Sequence, residues 1–175
     1  MASLVLQATA LGQGEAFQTT NLDLGFDTEQ PGHEVVVPLI LDLSQGVEVV
    51  QVTSQVTFPA QLLFFEGVTA GLSAQAAGAM VSAVKTTDEN NPESETLTVT
   101  VSTKRGGSIP SGIIADLAFT IAEDAPIELT IKLGNVVSAL TSDDPPRPVQ
   151  PITGKEGEVL VSATSPIFAC FFYMH

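Results

Sequence analysis

The sequence predicts an all-β domain built as a two-layer antiparallel sandwich, and three observations carry that expectation. The clearest lies in residues 108–133, SIPSGIIADLAFTIAEDAPIELTIKL. There Leu117, Phe119 and Ile121 share one face, with Asp116, Ala118 and Thr120 on the other. After an Asp124-Ala125-Pro126 turn, Leu129, Ile131 and Leu133 alternate with Thr130 and Lys132. A period of two with one oily face marks a half-buried strand. Second, the apolar runs are short, and most of the 14 Gly and 11 Pro fall between them, as many tight turns require. Third, Trp is absent and β-branched residues are plentiful, a composition that favours sheet over helix.

Taken in order, residues 4–10 form a plausible first strand. Residues 12–30 are polar, with Leu22, Leu24 and Phe26 alternating, and suit a strand or an arm laid on the sheet. Pro31-Gly32 is a turn. Residues 34–43, EVVVPLILDL, are apolar on both faces and predict a buried strand. Pro38 within it cannot donate to a ladder, so it calls for an edge position or a bulge. In residues 47–58, Val50, Val52, Val56 and Phe58 point inward and Gln51, Thr53, Gln55 and Thr57 outward. Leu62, Leu63, Phe64 and Phe65 return to the core. The Ala/Gly-rich residues 67–79 allow one helical turn at 74–77 and no more, because glycine weakens helices. Residues 80–84 and 96–103 are strands either side of an acidic loop at 86–95. The latter strand sets Leu97, Val99 and Val101 inward against Thr96, Thr98 and Thr100. Residues 135–140 and 158–163 supply two more strands, separated by the stiff Pro-rich loop 141–151. The expected core includes Val52, Val56, Phe58, Leu97, Val99, Leu117, Phe119, Ile121, Leu129 and Ile131.

The chain has 175 residues, 44% of them hydrophobic, enough for one domain with a sizeable core. Twenty acidic against six basic residues give a formal net charge of -14. Such a surface repels phosphate backbones and anionic lipid heads. Nucleic-acid and peripheral-membrane binding are therefore disfavoured, and solubility outside the cell or in salt is the simplest use of the acidity. Cys170 is the one cysteine, so no intrachain disulfide can form. No stretch approaches the roughly 20 apolar residues of a membrane span. The apolar run at residues 4–10 has no basic residue before it, which makes it a poor export signal.

The residues give little support to catalysis. His33 sits beside a turn and His175 is the final residue, so no histidine pair has metal-ligand or catalytic spacing. There is no GxSxG, CxxC, HExxH or phosphate loop, the short signatures of common enzyme sites. Asp88-Glu89 and Asp143-Asp144 have the oxygen chemistry for calcium, but neither follows the loop pattern with its Gly and terminal Glu. Solvated loop carboxylates are the expectation. No catalytic residue, metal or cofactor is assigned.

Four motifs occur in a distinctive order. Residues 31–38, PGHEVVVP, resemble the PG-x-x-V-x-V-P opening of cohesin domains. Residues 52–63, VTSQVTFPAQLL, are similar to the third strand and following turn, where cohesins commonly carry Tyr-Asp-Pro. Here Phe58 precedes Pro59 directly. Ser111-Gly112-Ile113-Ile114-Ala115 followed by Leu117 and Phe119 resembles a further stretch. The Asp124-Ala125-Pro126 turn fits too, although Ile127-Glu128 stand where a glycine often follows. The resemblance covers about residues 32–161. It implies a nine-stranded jelly-roll sandwich, non-catalytic and secreted or displayed at the cell surface, that binds a dockerin module through one sheet face. Carried over by position, Gln51, Thr53, Gln55 and Thr57 lie on that face.

Residues 165–175 stand apart from the sandwich assigned to residues 1–164. The segment SPIFACFFYMH holds three of the nine Phe and the only Tyr. As a strand it is apolar on both sides, and left free it is an aggregation segment. Phe168, Phe171, Phe172 and Tyr173 therefore call for burial, either in their own sandwich or in a neighbouring subunit. The expected function is a protein–protein interaction or structural module of an extracellular assembly, self-assembling head to tail through this tail, since a heterologous contact propagates into a fibre unless it closes. Two alternatives stand beside it. One is a cohesin binding a dockerin-like partner through the Gln51/Thr53/Gln55/Thr57 face. The other is a carbohydrate-binding module, which the absence of Trp and scarcity of Tyr disfavour.

Overall fold

A computed structural model describes residues 19–88, 91–104 and 106–164. Two sheets face each other. The first, sheet A, runs in spatial order β10 (Ile152–Thr153), β1 (Thr20–Leu24), β3 (Glu34–Asp42), β8 (Gly112–Ile121) and β5 (Leu63–Ala70). Sheet B runs β2 (Phe26–Glu29), β11 (Gly157–Val161), β9 (Thr130–Thr141), β4 (Val49–Pro59), β7 (Asn91–Ser102) and β6 (Met80–Asp88). A short helix, α1 (Leu72–Ala76), bridges β5 and β6.

The core lies between the sheets and draws on alternate residues of both, as a sandwich requires. Phe119 of β8 is fully buried and meets two rings edge-on: Phe58 of β4 at 5.1 Å and Phe65 of β5 at 5.7 Å. Of the expected core, Val52, Val56, Phe58, Leu97, Val99, Leu117, Phe119, Ile121 and Ile131 are buried, while Leu129 is half-buried at the turn into β9.

The sandwich differs from the expectation in several particulars. The described residues form eleven strands rather than about nine, and two pairs are parallel: β1 with β10, and β2 with β11. The remaining pairs are antiparallel. The described part of the polar stretch before Pro31, residues 19–30, holds two strands, one in each sheet. The helical turn starts two residues earlier than expected. Val50 is half-buried instead of core, because the β4–β9 register slips between Val49 and Gln51 and hands the interior position to Val49. Phe64 faces solvent, 48% exposed, since strand parity lets Leu63 take the inward place beside it. The expected strand at residues 4–10 lies outside the described residues.

Pro38 sits in β3 between β1 and β8, not on an edge. Its carbonyl accepts from Gly25 N at 2.8 Å. The reciprocal bond that an antiparallel pair normally makes is impossible, because proline has no N–H. The carbonyl of Gly25 instead accepts from Glu158 N of β11 at 3.2 Å. The chain thus leaves sheet A at Gly25 and enters sheet B as β2. A side chain at residue 25 has no room there: a Cβ would stand 2.6 Å from Pro38 Cγ. The expected bulge is present one residue on, where the β3–β8 register shifts between Leu39 and Ile40.

Candidate partner-binding face

The alternation of β4 puts Gln51, Thr53, Gln55 and Thr57 on the outer face of sheet B, as expected. Gln51 and Thr53 are half-buried, Gln55 and Thr57 exposed. β4 lies between β7 and β9, so each residue of the row has a neighbour on either side. Thr53 stands between Thr100 and Ser138, Gln55 between Thr98 and Val136, and Thr57 between Thr96 and Gly134. β6 extends the rows by Met80, Ser82, Val84 and Thr86. Facing Thr and Ser pairs suit a sheet, because β-branched hydroxyl residues hold one another across strands.

No charged side chain falls in these four rows. Their exposed groups are hydroxyls, amides and three aliphatic side chains, Met80, Val84 and Val136, each 60–68% exposed. Charge begins only at the margin. Beside Thr57 a hollow of about 420 Å³ is lined by Pro59, Glu93, Ser94, Lys132 and Gly134. Uncharged groups lose far less than ions when water is removed, and the cores of protein interfaces are depleted of charge in the same way. The arrangement can therefore accept a flat partner surface with little desolvation cost.

Two inward polar residues hold this face against the other sheet, and the sequence did not single them out. Ser54, fully buried, donates to Asn135 Oδ1 at 2.7 Å. Asn135 Nδ2 donates to the carbonyls of Leu22 in β1, at 2.7 Å, and Lys155, at 3.1 Å. One amide thus ties β4 and β9 to β1 across the sandwich. The signal was present only as two polar residues at inward positions of apolar strands.

The other expected site residues, Phe168, Phe171, Phe172 and Tyr173, lie outside the described residues. In the Pro-rich loop, the Asp143 carboxylate accepts from Thr141 Oγ1 at 2.7 Å and pairs with Arg147 at 2.8 Å. The hydrogen bond from Thr141, then Arg147, holds the Asp143 carboxyl below its ordinary range. That carboxylate is engaged within its own loop. Among the described residues no three His, Cys, Asp or Glu side chains gather as metal ligands. His33 is exposed, with Nδ1 3.8 Å from Glu29 Oε1.

The geometry matches that of solved cohesins. The sixth cohesin of scaffoldin B from Acetivibrio cellulolyticus, solved with a dockerin, superposes with a TM-score of 0.65 at 19% identity, covering 83% of this chain and 100% of that one. The OlpA cohesin of Clostridium thermocellum gives 0.65 at 16% identity, covering 82% and 99%. A non-cellulosomal cohesin from the archaeon Archaeoglobus fulgidus gives 0.63 at 14% identity, covering 83% and 93%. At these identities the likeness establishes the fold: this is a cohesin-type β-sandwich. No protein-family model and no curated protein sequence matches the chain.

Proposed function

We propose that this chain is a non-catalytic binding module of an extracellular or cell-surface assembly, taking a dockerin-like protein on the outer face of sheet B. The observation that carries the reading is a patch of four cross-strand rows over β6, β7, β4 and β9 without a charged residue, on a chain of net charge -14. Two of the similar structures, the scaffoldin B cohesin and the OlpA cohesin, are complexes with dockerins. The test is titration of the full chain against a panel of dockerin modules by calorimetry. Binding by one member, abolished by Thr53→Arg with the melting temperature within a few degrees, is the expected result. Binding that survives Thr53→Arg removes this face, and no binding by any member removes the dockerin-like partner.

A second reading is head-to-tail self-assembly through residues 165–175. The observation favouring it is the outer edge of β6, which pairs with nothing among the described residues. The carbohydrate-binding reading has weaker support, since the exposed rings Phe26 and Phe64 stand in different sheets and form no common stacking platform.

A further inference from the structure

We propose that the free edge of β6 accepts residues 167–175 of a second copy of this chain as an added strand. The inference rests on the self-assembly reading and names the surface it needs.

β6 is the last strand of sheet B; among the described residues its far edge pairs with nothing. A long bare edge is a template for another strand, and sheets ordinarily guard such edges with bulges, proline or charge. β6 has little of this. It runs nine residues, contains no proline, and keeps regular register with β7 from Met80 to Thr87. Lys85, the one charge before Asp88, is already paired with Glu95 at 3.1 Å. The other edges are better guarded. β5 carries a bulge between Phe65 and Gly67, with Glu66 at the irregularity. β2 is only four residues long, and its Asp27 carboxylate binds the backbone N–H of Val36 in β3.

The two sides of the β6 edge match the two sides of the segment. On the outer side stand Met80 and Val84, both largely exposed. On the inner side Val81 and Ala83 are only partly covered by the core. Over residues 80–84 a strand laid here meets Met80 and Val84 on the outer side, flanking Ser82, and Val81 and Ala83 on the inner side, with Lys85 following them. Residues 167–175, IFACFFYMH, are apolar on both faces when extended, with Phe168, Cys170, Phe172 and Met174 alternating against Ile167, Ala169, Phe171 and Tyr173. An ordinary amphipathic strand would leave one of these sides unmatched.

Reach assigns the segment to another copy. The chain arrives at Thr164 beside β2, where Ala163 O accepts from Gln30 Nε2 and Ser162 N donates to Glu29 O. From β11 to a strand added outside β6 the sheet order counts five strand spacings, about 24 Å at ~4.8 Å each. At ~3.3 Å per residue that crossing consumes about seven residues. A chain reaching its own β6 edge would spend most of residues 165–171 on the crossing, so the segment 167–175 could not pair there as one strand. A neighbour's edge can take the whole segment.

Cys170 supplies the test, being the chain's one cysteine. Full-length Val84→Cys and Ala83→Cys place a second thiol on the outer and inner side of β6, and Gln55→Cys places one two strands away. Each is oxidised mildly, and sedimentation of the unmodified chain is measured in parallel. The expected result is a concentration-dependent assembly, with a covalent ladder of three or more subunits from Val84→Cys or Ala83→Cys and none from Gln55→Cys. Whichever of the two gives the ladder identifies the side that Cys170 faces. Assembly without a ladder from either β6 variant overturns the acceptor edge while leaving head-to-tail assembly standing. A chain that stays monomeric at high concentration overturns both.

Discussion

The two outer faces of this sandwich are built from the same kind of strand and carry opposite chemistry. Sheet A exposes carboxylates on every long strand: Asp23 on β1, Glu34 and Asp42 on β3, Asp116 on β8 and Glu66 on β5. In sheet B the four rows through Gln51, Thr53, Gln55 and Thr57, over β6, β7, β4 and β9, expose threonine, serine, glutamine and a few aliphatics, with Lys132 of β9 at their margin. Charged groups keep a sheet wetted, because removing their water is costly. The neutral face lacks that protection. The comparison teaches that the acidity of this chain is distributed, and that the face left without it is the one suited to contact.

The comparison presumes that both sheets rest on one interior. Phe119→Ala tests this most severely, since the ring belongs to sheet A and touches Phe58 of sheet B. A loss of about 3–5 kcal/mol is expected, with the two sheets unfolding in a single transition by chemical denaturation. Two separate transitions would show that the faces belong to independent units. Next in size is Asn135→Ala, which strips partners from the Ser54 hydroxyl and the Leu22 carbonyl. Leaving buried polar groups unpaired costs about 1–3 kcal/mol, measurable in the same experiment; no loss would mean that the tie between the sheets is dispensable.

The faces themselves are compared by exchanging one charge. Gln55→Glu makes sheet B more like sheet A, and Asp116→Asn does the reverse. Both should change stability by less than about 0.5 kcal/mol, as surface substitutions usually do. Only Gln55→Glu should weaken binding to a dockerin that the chain recognises, by tenfold or more in calorimetry. Equal effects of the two would erase the distinction between faces. The smallest effect concerns the rim. The carboxyl of Asp143 titrates below its ordinary range in the folded chain, so its contribution is present above the unfolded carboxyl's pKa. It is lost as pH falls through the folded value. Asp143 lies at the surface, so the difference in melting temperature between the chain and Asp143→Asn should be slight at neutral pH and vanish in acid.

The outward row of β4 was legible because that strand is interior to its sheet: Val52, Val56 and Phe58 had to be covered, and their parity fixed the outward side. The charge contrast between faces was not. Its acids are scattered over four strands, and only the register brings them together. Ser54 and Asn135 are 81 residues apart, beyond any local pattern. Pro38 called for an edge or a bulge, and the bulge follows it between Leu39 and Ile40, while the lost donor is accommodated inside the sheet by redirecting the Gly25 carbonyl. Glu128, one of the two residues standing where the cohesin pattern often has glycine, adopts φ of 66°, the left-handed conformation in which glycine is at home. The apolar tail was conspicuous in sequence, yet its pattern alone named no acceptor.

The crossing at Gly25 also bears on the order in which the molecule is completed. β1 takes β10 as one neighbour and β2 takes β11, joining residues such as Asn21 and Thr153 that are 132 positions apart. Closing such distant pairs is the slow part of assembling a sheet. During synthesis, strands made near the start of the sandwich wait for partners made near its end, holding open edges meanwhile. A chain released before residue 161 has left the ribosome lacks β11, so the edges of β2 and β9 that it pairs stay open and the core lacks Val159 and Val161. Folding of this chain therefore includes a long interval in which the hydrophobic interior exists without its lid.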